Sequence, residues 1–235
     1  MMQLNKLPDH TLSGFWYCLL FLIVSFSVSA QTGLQKLTYT YYTSWFSTIE
    51  HIPLVVSYTL TEEMLSCTHT VTRTNKFKPD PAHKEITNLA KDYRRSGYDR
   101  GHNMNAADNE CSVKGMEQCF YFSNMTPQPH SFNAGRWEDL EKLERIEATQ
   151  SHTLIITCGS IGVKEYIGED KVAVPNEMWK VIYTPATEKY QCYLFPNSDE
   201  GMKELDAYKV TLSKIEKLTA LCFEKGVVEV KAKDF

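Results

Sequence analysis

Apolar and polar residues follow one another along the chain in a pattern that predicts strands interspersed with helices. Residues 54–60 (LVVSYTL) are rich in β-branched and aromatic side chains, which is typical of a strand. Further strands are predicted at residues 118–123, 153–157, 178–183 and 190–195, the last two as candidate neighbours. Residues 31–52 suggest a loosely tied N-terminal arm, and residues 125–130 suggest a proline-containing loop.

Helical periodicity is clearest in two later segments. Apolar residues recur every three positions between about residues 135 and 149, at Trp137, Leu140, Leu143 and Ile146. A second series at helical spacing covers residues 210–222, with Thr211 or Ser213 placed to cap it. Because strands and helices mix without a regular βαβ period, we predict an α+β fold with a mixed or antiparallel sheet.

The N-terminal residues predict a targeting segment. An apolar run of 14 residues, from Phe15 to Val28, ends in Val28-Ser29-Ala30, a small-residue cleavage signal. The run is short for a membrane span, so a signal peptide over residues 1–30 is favoured over an uncleaved anchor. The expectation is an exported protein, periplasmic or secreted, with one domain over residues 31–235 and no stable membrane association after cleavage.

The cysteines allow disulfide bonds but do not suggest a zinc site. Cleavage after Ala30 leaves an even number, namely Cys67, Cys111, Cys119, Cys158, Cys192 and Cys222. Cys111 and Cys119 lie close enough in sequence to pair, although six cysteines allow 15 pairings. The last three lie in apolar segments, where buried free thiols are expected.

Positive charge is concentrated in one part of an otherwise acidic chain. The formal net charge is −4. Between Arg73 and His102, however, the sequence contains eight Lys or Arg residues and four Asp or Glu residues, a local net charge of +4. Such a stretch suits contacts to a phosphate backbone, although an ordinary solvated face would look the same.

The residues that suggest chemistry lie between Tyr98 and Arg145. The first group is Asp99-Arg100-Gly101-His102, in which a histidine follows a glycine that allows close backbone approach. The second runs from Ser123 to Arg145 and contains Asn133, Glu141 and Arg145. Each group alone is weak evidence, because lone histidines are often structural and i,i+4 Glu–Arg pairs commonly occupy solvated helix faces.

Together the two groups resemble the signature of the DNA/RNA non-specific endonuclease family. The chain has DRGH at residues 99–102, SNMTPQ at residues 123–128 and NAGRWEDLE at residues 133–141. The order, the spacing and the residue types all resemble the family pattern. The resemblance implies a ββα-metal finger core, in which two strands carry the histidine and a helix carries the asparagine. It also implies cleavage of DNA and RNA.

The resemblance implies a role for each matched residue. His102 would be the general base, so activity should fall below about pH 6.5, where an unperturbed imidazole becomes protonated. Asn133 would give a side-chain oxygen to Mg²⁺, with Mn²⁺ as the alternative ion. Glu141 would act on the ion through water. Arg145, with Arg73 as a less certain companion, would neutralise charge on the phosphate.

Three further residues receive supporting roles from the same resemblance. Asn124 would help to shape the site, Arg100 would contact substrate, and Asp99 would orient the backbone near His102. The sequence departs from the family at residues 103–105, where Asn-Met-Asn replaces the more common Leu-x-Pro. This departure is expected to alter rate or substrate preference without removing a catalytic group.

Helix geometry limits how Asn133 and Glu141 could hold one ion. The two residues are eight positions apart, which is about 12 Å along a continuous helix. Either Glu141 acts through water or Asn133 lies before the helix proper, an arrangement that Gly135 would permit.

Two alternatives to the nuclease remain open from the sequence. One is a non-catalytic nucleic-acid-binding module of the same fold, and the other is a phosphodiesterase that acts on small nucleotides. The nuclease is favoured because His102, Asn133, Glu141 and Arg145 are all present. The sequence leaves the oligomeric state open.

Overall fold

The computed structural model describes residues 33–67, 70–199 and 203–230. Every described residue belongs to one compact unit of the chain. The predicted signal peptide over residues 1–30 therefore lies outside the described residues. Over the described ranges, no helix is long and apolar enough to cross a membrane.

The described residues form an α+β fold, which confirms the predicted class. The strands are β1 Leu34–Thr38, β2 Tyr42–Ser47, β3 Ile52–Thr61, β4 Asp99–His102, β5 Met125–Gln128, β6 Thr153–Ile161, β7 Glu165–Ile167, β8 Val172–Val174, β9 Glu177–Thr184, β10 Lys189–Pro196, β11 Lys209–Val210, β12 Cys222–Glu224 and β13 Val227–Glu229. The helices are α1 Glu62–Leu65, α2 Lys84–Thr87, α3 Ala90–Tyr93, α4 Val113–Gln118, α5 His130–Phe132, α6 Glu138–Ser151 and α7 Leu212–Thr219.

An antiparallel sheet forms the centre of the fold. Its strand order within the described residues is β1-β2-β3-β6-β9-β10-β11. Alternation along β3 shows how both faces are used, because Val55 packs into the cluster with α7 whereas Val56 packs into the cluster with α6. The sheet is therefore covered on both sides, and helix α6 is fixed against one face.

The ββα finger lies on the α6 side of the sheet. Strands β4 and β5 pair antiparallel, with Asp99 opposite Gln128 and His102 opposite Met125. Helices α5 and α6 follow β5 along the chain, joined by a helical turn over Asn133–Trp137. This order of two strands and a helix agrees with the finger that the sequence resemblance implies.

Three segments differ from the sequence predictions because strand pairing and burial determine their structure more than local composition does. Residues 118–123 do not form a strand; they end α4 and turn, with the four side chains from Cys119 to Phe122 buried. The strand is instead Met125–Gln128, predicted as a loop, because it pairs with Asp99–His102. The predicted arm over residues 31–52 contains the paired strands β1 and β2.

Helix α6 buries the start of the predicted apolar stripe, but its buried face turns away from that stripe toward the C-terminal end. A series with a spacing of three drifts around an α-helix, which has 3.6 residues per turn. Ile146 is consequently 56% exposed. The residues of α6 that are buried are Leu140, Glu141, Glu144 and Ala148. Helix α6 thus brings two carboxyl groups toward the interior of the protein.

The disulfide bond differs from the predicted pair. Cys67 pairs with Cys111, whereas Cys119 is a buried free thiol. Cys158 and Cys192 are buried and free, as predicted, but Cys222 is exposed. The disulfide ties the segment after α1 to the segment that follows β4.

Candidate active site

Strand β4 ends at His102, and close packing fixes the backbone there. A Cβ atom at Gly101 would overlap the buried Gln128 side chain, so a larger residue at this position would displace that side chain. The indole Nε1 of Trp137 donates to the carbonyl oxygen of His102 at 3.0 Å. The first turn of the finger helix therefore holds the histidine backbone directly.

The imidazole of His102 is held between aromatic side chains and is only 7% exposed. The Phe77 and Phe120 ring centroids lie 5.5 and 4.9 Å from the imidazole centroid, and its buried Nε2 has no hydrogen-bond partner. Burial, with a smaller contribution from the positive charge of Arg73, lowers the pKa of His102 to about 3. The ring is therefore neutral near pH 7, as a general base requires.

Asn133 lies before helix α6, which resolves the geometric question raised by the sequence. The turn Asn133–Trp137 contains a kink at Gly135, with φ −118° and ψ −108°, and α6 begins at Glu138. Because the helix is interrupted, the side chains of Asn133 and Glu141 line the same cavity.

Asp99 has a role that differs from the expected one. Its Oδ2 accepts a hydrogen bond from Asn133 Nδ2 at 2.9 Å, and His130 Nδ1 lies 2.8 Å from the same oxygen. The carboxylate thus orients the Asn133 amide rather than the backbone near His102. With its nitrogen bound to Asp99, the amide has its oxygen left to offer a ligand in the cavity.

Glu141 projects from α6 into the cavity and is 3% exposed. Its Oε2 accepts a hydrogen bond from Nδ2 of Asn105, in the segment that follows β4. Burial raises the pKa of Glu141 to about 8, against the lowering effect of the nearby Lys180 ammonium. A divalent cation beside the carboxyl group would favour its charged form.

The guanidinium of Arg145 lies one helical turn beyond Glu141 and also lines the cavity. Its ion-pair partner is Asp108, at 3.2 Å, rather than Glu141. Asp108 is buried, and burial raises its pKa against the opposing effect of Arg145. The pair orients Arg145 at the cavity wall.

Arg73 and Arg100 complete the positive part of the cavity wall. The Arg73 guanidinium lies 5.4 Å from the Phe120 ring centroid, and that of Arg100 lies 4.8 Å from the Phe77 centroid. The aromatic rings beside His102 therefore also position two cations at the cavity.

Asn124 does not line the cavity, and its side chain is fully engaged inside the protein. Its Oδ1 accepts from the Met104 backbone nitrogen at 2.9 Å, while its Nδ2 donates to the carbonyls of Met104 and Cys119 at 2.9 and 2.8 Å. Asn124 thus holds the loop that follows His102 and does not face the cavity.

One cavity of about 440 Å³ brings most of the predicted site residues together. It is lined by Arg73, Asn75, Phe77, Asp99, Arg100, His102, Asn105, Ala107, Asn133, Ala134, Glu138, Glu141 and Arg145. The cavity combines a neutral imidazole, amide and carboxylate oxygens, and three guanidinium groups. This set of groups suits an anionic substrate together with a cation.

The oxygen groups of the cavity fit a hard divalent cation. Mg²⁺ prefers oxygen ligands and retains several waters, so few protein ligands suffice. Asn133 and Glu141 offer amide and carboxylate oxygens on the same wall. In the part of the chain that the structure describes, no group of three or more His, Cys, Asp or Glu side chains could hold a metal ion. A metal in this cavity would therefore need water and substrate oxygens in addition to the protein oxygens.

The basic stretch is partly neutralised in the folded protein. Lys78 pairs with Glu117, and Lys91 pairs with Glu169 and Asp170. Arg73 and Arg100 of the same stretch line the cavity, whereas Lys76, Lys84, Arg94 and Arg95 are exposed.

Comparison with known proteins identifies the family. The family model for the DNA/RNA non-specific endonuclease matches residues 22–230. The chain belongs to this family. Among relatives, the mitochondrial nuclease EXOG of Xenopus laevis is 35% identical over 167 residues, which cover 63% of this chain and 47% of the relative. Human mitochondrial endonuclease G is 33% identical over 165 residues, which cover 63% of this chain and 54% of the relative.

A solved structure with a similar fold supports the family assignment. The crystal structure of the EndoG/EndoGI complex, solved to explain EndoG inhibition, aligns with a TM-score of 0.75 and 27% identity. The alignment covers 82% of this family member and 86% of the solved chain. This family member spans about half the length of the curated relatives it matches.

The relatives correct the predicted location of this endonuclease-family chain. The sequence suggested export to the periplasm or outside the cell. That prediction is wrong, because the matching EXOG and endonuclease G relatives are mitochondrial proteins.

Asn105 and Asp108 also contribute to the site of this family member, although no sequence pattern predicted either residue. Asn105 contacts Glu141, and Asp108 contacts Arg145. The only available signal was the departure at residues 103–105, which indicated a local difference but no contact. Long-range packing of this segment on α6 is what creates both interactions.

Proposed function

We propose that this chain is a metal-dependent endonuclease that hydrolyses phosphodiester bonds in DNA and RNA with little sequence preference. The cavity supports the proposal because it joins a neutral imidazole, oxygen donors and guanidinium groups within about 440 Å³. That convergence is the single observation that carries it. Family membership agrees with the proposed activity.

His102 would act as the general base. Its ring is kept neutral by burial between Phe77 and Phe120, and its backbone is fixed by Trp137. A water that attacks the phosphorus atom would give its proton to this imidazole. Asn124 would support the step indirectly, because it holds the loop that follows His102.

Asn133 would bind Mg²⁺, or Mn²⁺ as the alternative, directly, and Glu141 would act on the ion through water. Asp99 orients the Asn133 amide through its nitrogen, so the oxygen is the group offered to the ion. When bound, the ion would supply positive charge that stabilises the phosphate and the departing oxygen.

Arg145, Arg100 and Arg73 would bind the phosphate groups of the substrate. Arg145 is held by Asp108, and the other two guanidinium groups lie over aromatic rings. Contacts of this kind neutralise phosphate charge without reading bases, which suits cleavage with little sequence preference.

The proposal is tested by incubating the protein with a supercoiled plasmid and with an RNA transcript, each with Mg²⁺. We expect both to be cut internally, and cleavage to stop when EDTA removes the ion. The plasmid should pass through nicked and linear forms, because an endonuclease needs no free end.

Other outcomes would favour the two alternative functions. Binding of either polymer without cleavage would indicate a non-catalytic module. Cleavage of a small model diester, with both polymers intact, would indicate a phosphodiesterase for small nucleotides. Either result would overturn the proposed endonuclease.

We predict that the imidazole of His102 stays neutral well below the pH at which an ordinary histidine titrates. The sequence suggested loss of activity below about pH 6.5, but burial and Arg73 lower the pKa of His102 to about 3. A histidine whose pKa is lowered takes up its proton only at more acidic pH. Nitrogen NMR of the free protein should therefore show no titration of this ring near pH 6.5.

The effect of Arg73 on the pKa of His102 can be separated from the effect of burial. Arg73→Gln should raise the pKa of His102, since it removes the positive charge near the ring. Lys114→Gln, at an exposed position of α4, serves as the charge-matched control and should leave the ring unchanged. An inflection near pH 6.5 in the unmodified protein would contradict the prediction.

A further inference from the structure

The segment that follows β4 makes two contacts with the charged side chains of α6. It forms a 3₁₀ turn over Ala106–Asn109, preceded by Asn105. Asn105 Nδ2 donates to Glu141, and Asp108 accepts from Arg145. One short turn therefore holds two neighbouring groups of the candidate site.

Asn105 is placed by contacts that leave its amide little freedom. Its Oδ1 accepts from the Ala107 backbone nitrogen at 2.7 Å, which caps the turn. Its own carbonyl oxygen accepts from Asn109 Nδ2 at 2.8 Å. Because the oxygen of the amide is used by the cap, the nitrogen faces Glu141. The Asn105 side chain thus joins the turn to helix α6.

The remaining contacts of this turn make it a firm support. Asp108 is 1% exposed and pairs with Arg145 at 3.2 Å. The Cys67–Cys111 disulfide lies two residues beyond the turn and ties the segment to the end of α1. The turn is therefore held at both ends before any ligand enters the cavity.

We propose that Asn105 is a positioning residue that fixes the Glu141 carboxylate for the divalent cation. This inference rests on the proposed function, because it concerns the same cavity. A carboxylate on a flexible side chain loses conformational freedom when it binds a cation. The hydrogen bond from Asn105 already restricts the Glu141 side chain in the folded protein, so less conformational freedom is lost when the cation binds. A proline or another residue without a side-chain donor at this position would lack the contact.

Two substitutions separate the contact with Glu141 from the cap of the turn. Asn105→Ser keeps a side-chain oxygen for the Ala107 nitrogen but is too short to reach Glu141. Asn105→Ala removes both interactions. Ser112→Ala is the matched control, because Ser112 caps α4 in the same segment through the Gly115 nitrogen and has no contact with Glu141.

The experiment combines Mn²⁺ titration without substrate, measured by calorimetry, with kcat and KM for a DNA duplex in Mg²⁺. Loss of a group that orients a metal ligand typically lowers metal affinity or activity by about 10- to 100-fold. We expect losses in this range for Mn²⁺ affinity and kcat in both Asn105 variants. KM for the duplex should stay near the wild-type value, and Ser112→Ala should bind Mn²⁺ and cut DNA normally.

The failure of this inference can be distinguished from failure of the proposed function. If the wild-type protein cuts DNA and Asn105→Ser has unchanged Mn²⁺ affinity and kcat, the positioning role is overturned alone. If only the thermal stability of Asn105→Ser and Asn105→Ala falls, Asn105 is a cap and the role is again overturned. If the wild-type protein neither cuts nucleic acid nor binds Mn²⁺, both proposals fail.

Discussion

His102→Ala is expected to lower the rate of phosphodiester cleavage by about 10²- to 10⁴-fold, the usual contribution of a general base. The imidazole lines the cavity and is held neutral by burial, whereas Trp137 and Gly101 fix its backbone. Removal of the ring should therefore affect kcat far more than substrate binding. Initial rates on plasmid DNA and on an RNA transcript, at saturating Mg²⁺, provide the measurement.

A control substitution at another histidine separates loss of the general base from nonspecific effects of replacing a histidine. His83→Ala lies in the same basic stretch, and the His83 side chain makes no capping hydrogen bond in α2. It should cut at the wild-type rate. His102→Gln fills more of the space beside Phe77 and Phe120, and it should be as inactive as the alanine variant. Rapid cleavage by a folded His102→Ala protein would exclude His102 as the base.

The sequence predicted which residues line the cavity better than it predicted the contacts that position them. DRGH and the segment from Asn133 to Glu141 are local patterns, and the family resemblance assigned roles to their residues before any distance was known. The structure brings His102, Asn133 and Glu141 to one cavity, as those roles require. The kink at Gly135 agrees with one of the two arrangements that the sequence left open, in which Asn133 lies before the helix.

Contacts between distant segments could not be predicted in the same way. Residues 118–123 looked like a strand because they are apolar, yet they fill the interior through turns. Residues 125–128 contain a proline and looked like a loop, yet their pairing with Asp99–His102 makes them a strand. Asn105 carried no local signal for its contact with Glu141. In each case a partner far away in the sequence determines the structure.

Buried charge behind the cavity is a second feature that the sequence did not reveal. Lys180, on the interior strand β9, was predicted only as part of a strand, and Glu144 was not part of the predicted apolar stripe of its helix. The structure buries both and places Lys180 Nζ 3.1 Å from Glu144 Oε1. The same ammonium lies 4.1 Å from the Trp137 ring centroid. The indole nitrogen of this tryptophan donates to the His102 carbonyl oxygen.

Lys180→Met should destabilise the folded protein by about 3–5 kcal/mol, the usual cost of removing one partner of a buried ion pair. Methionine fills similar volume, but Glu144 then has a buried carboxyl group without its cation, close to Glu141. For a chain of this size, the loss corresponds to a Tm lower by roughly 10 °C. Thermal and urea unfolding, followed by circular dichroism, measure the change.

The double variant Lys180→Met with Glu144→Gln tests whether uncompensated charge is the cause. It removes both charges, so most of the lost stability should return. The pH dependence provides a second check. Burial raises the pKa of Glu144 to about 7 even with Lys180 present, so without the cation the folded variant takes up a proton that the unfolded chain does not. The stability deficit of Lys180→Met should therefore shrink as the pH falls from 8 to 5. A deficit that persists unchanged in the double variant and across this pH range would indicate lost packing against Trp137 instead of unpaired charge.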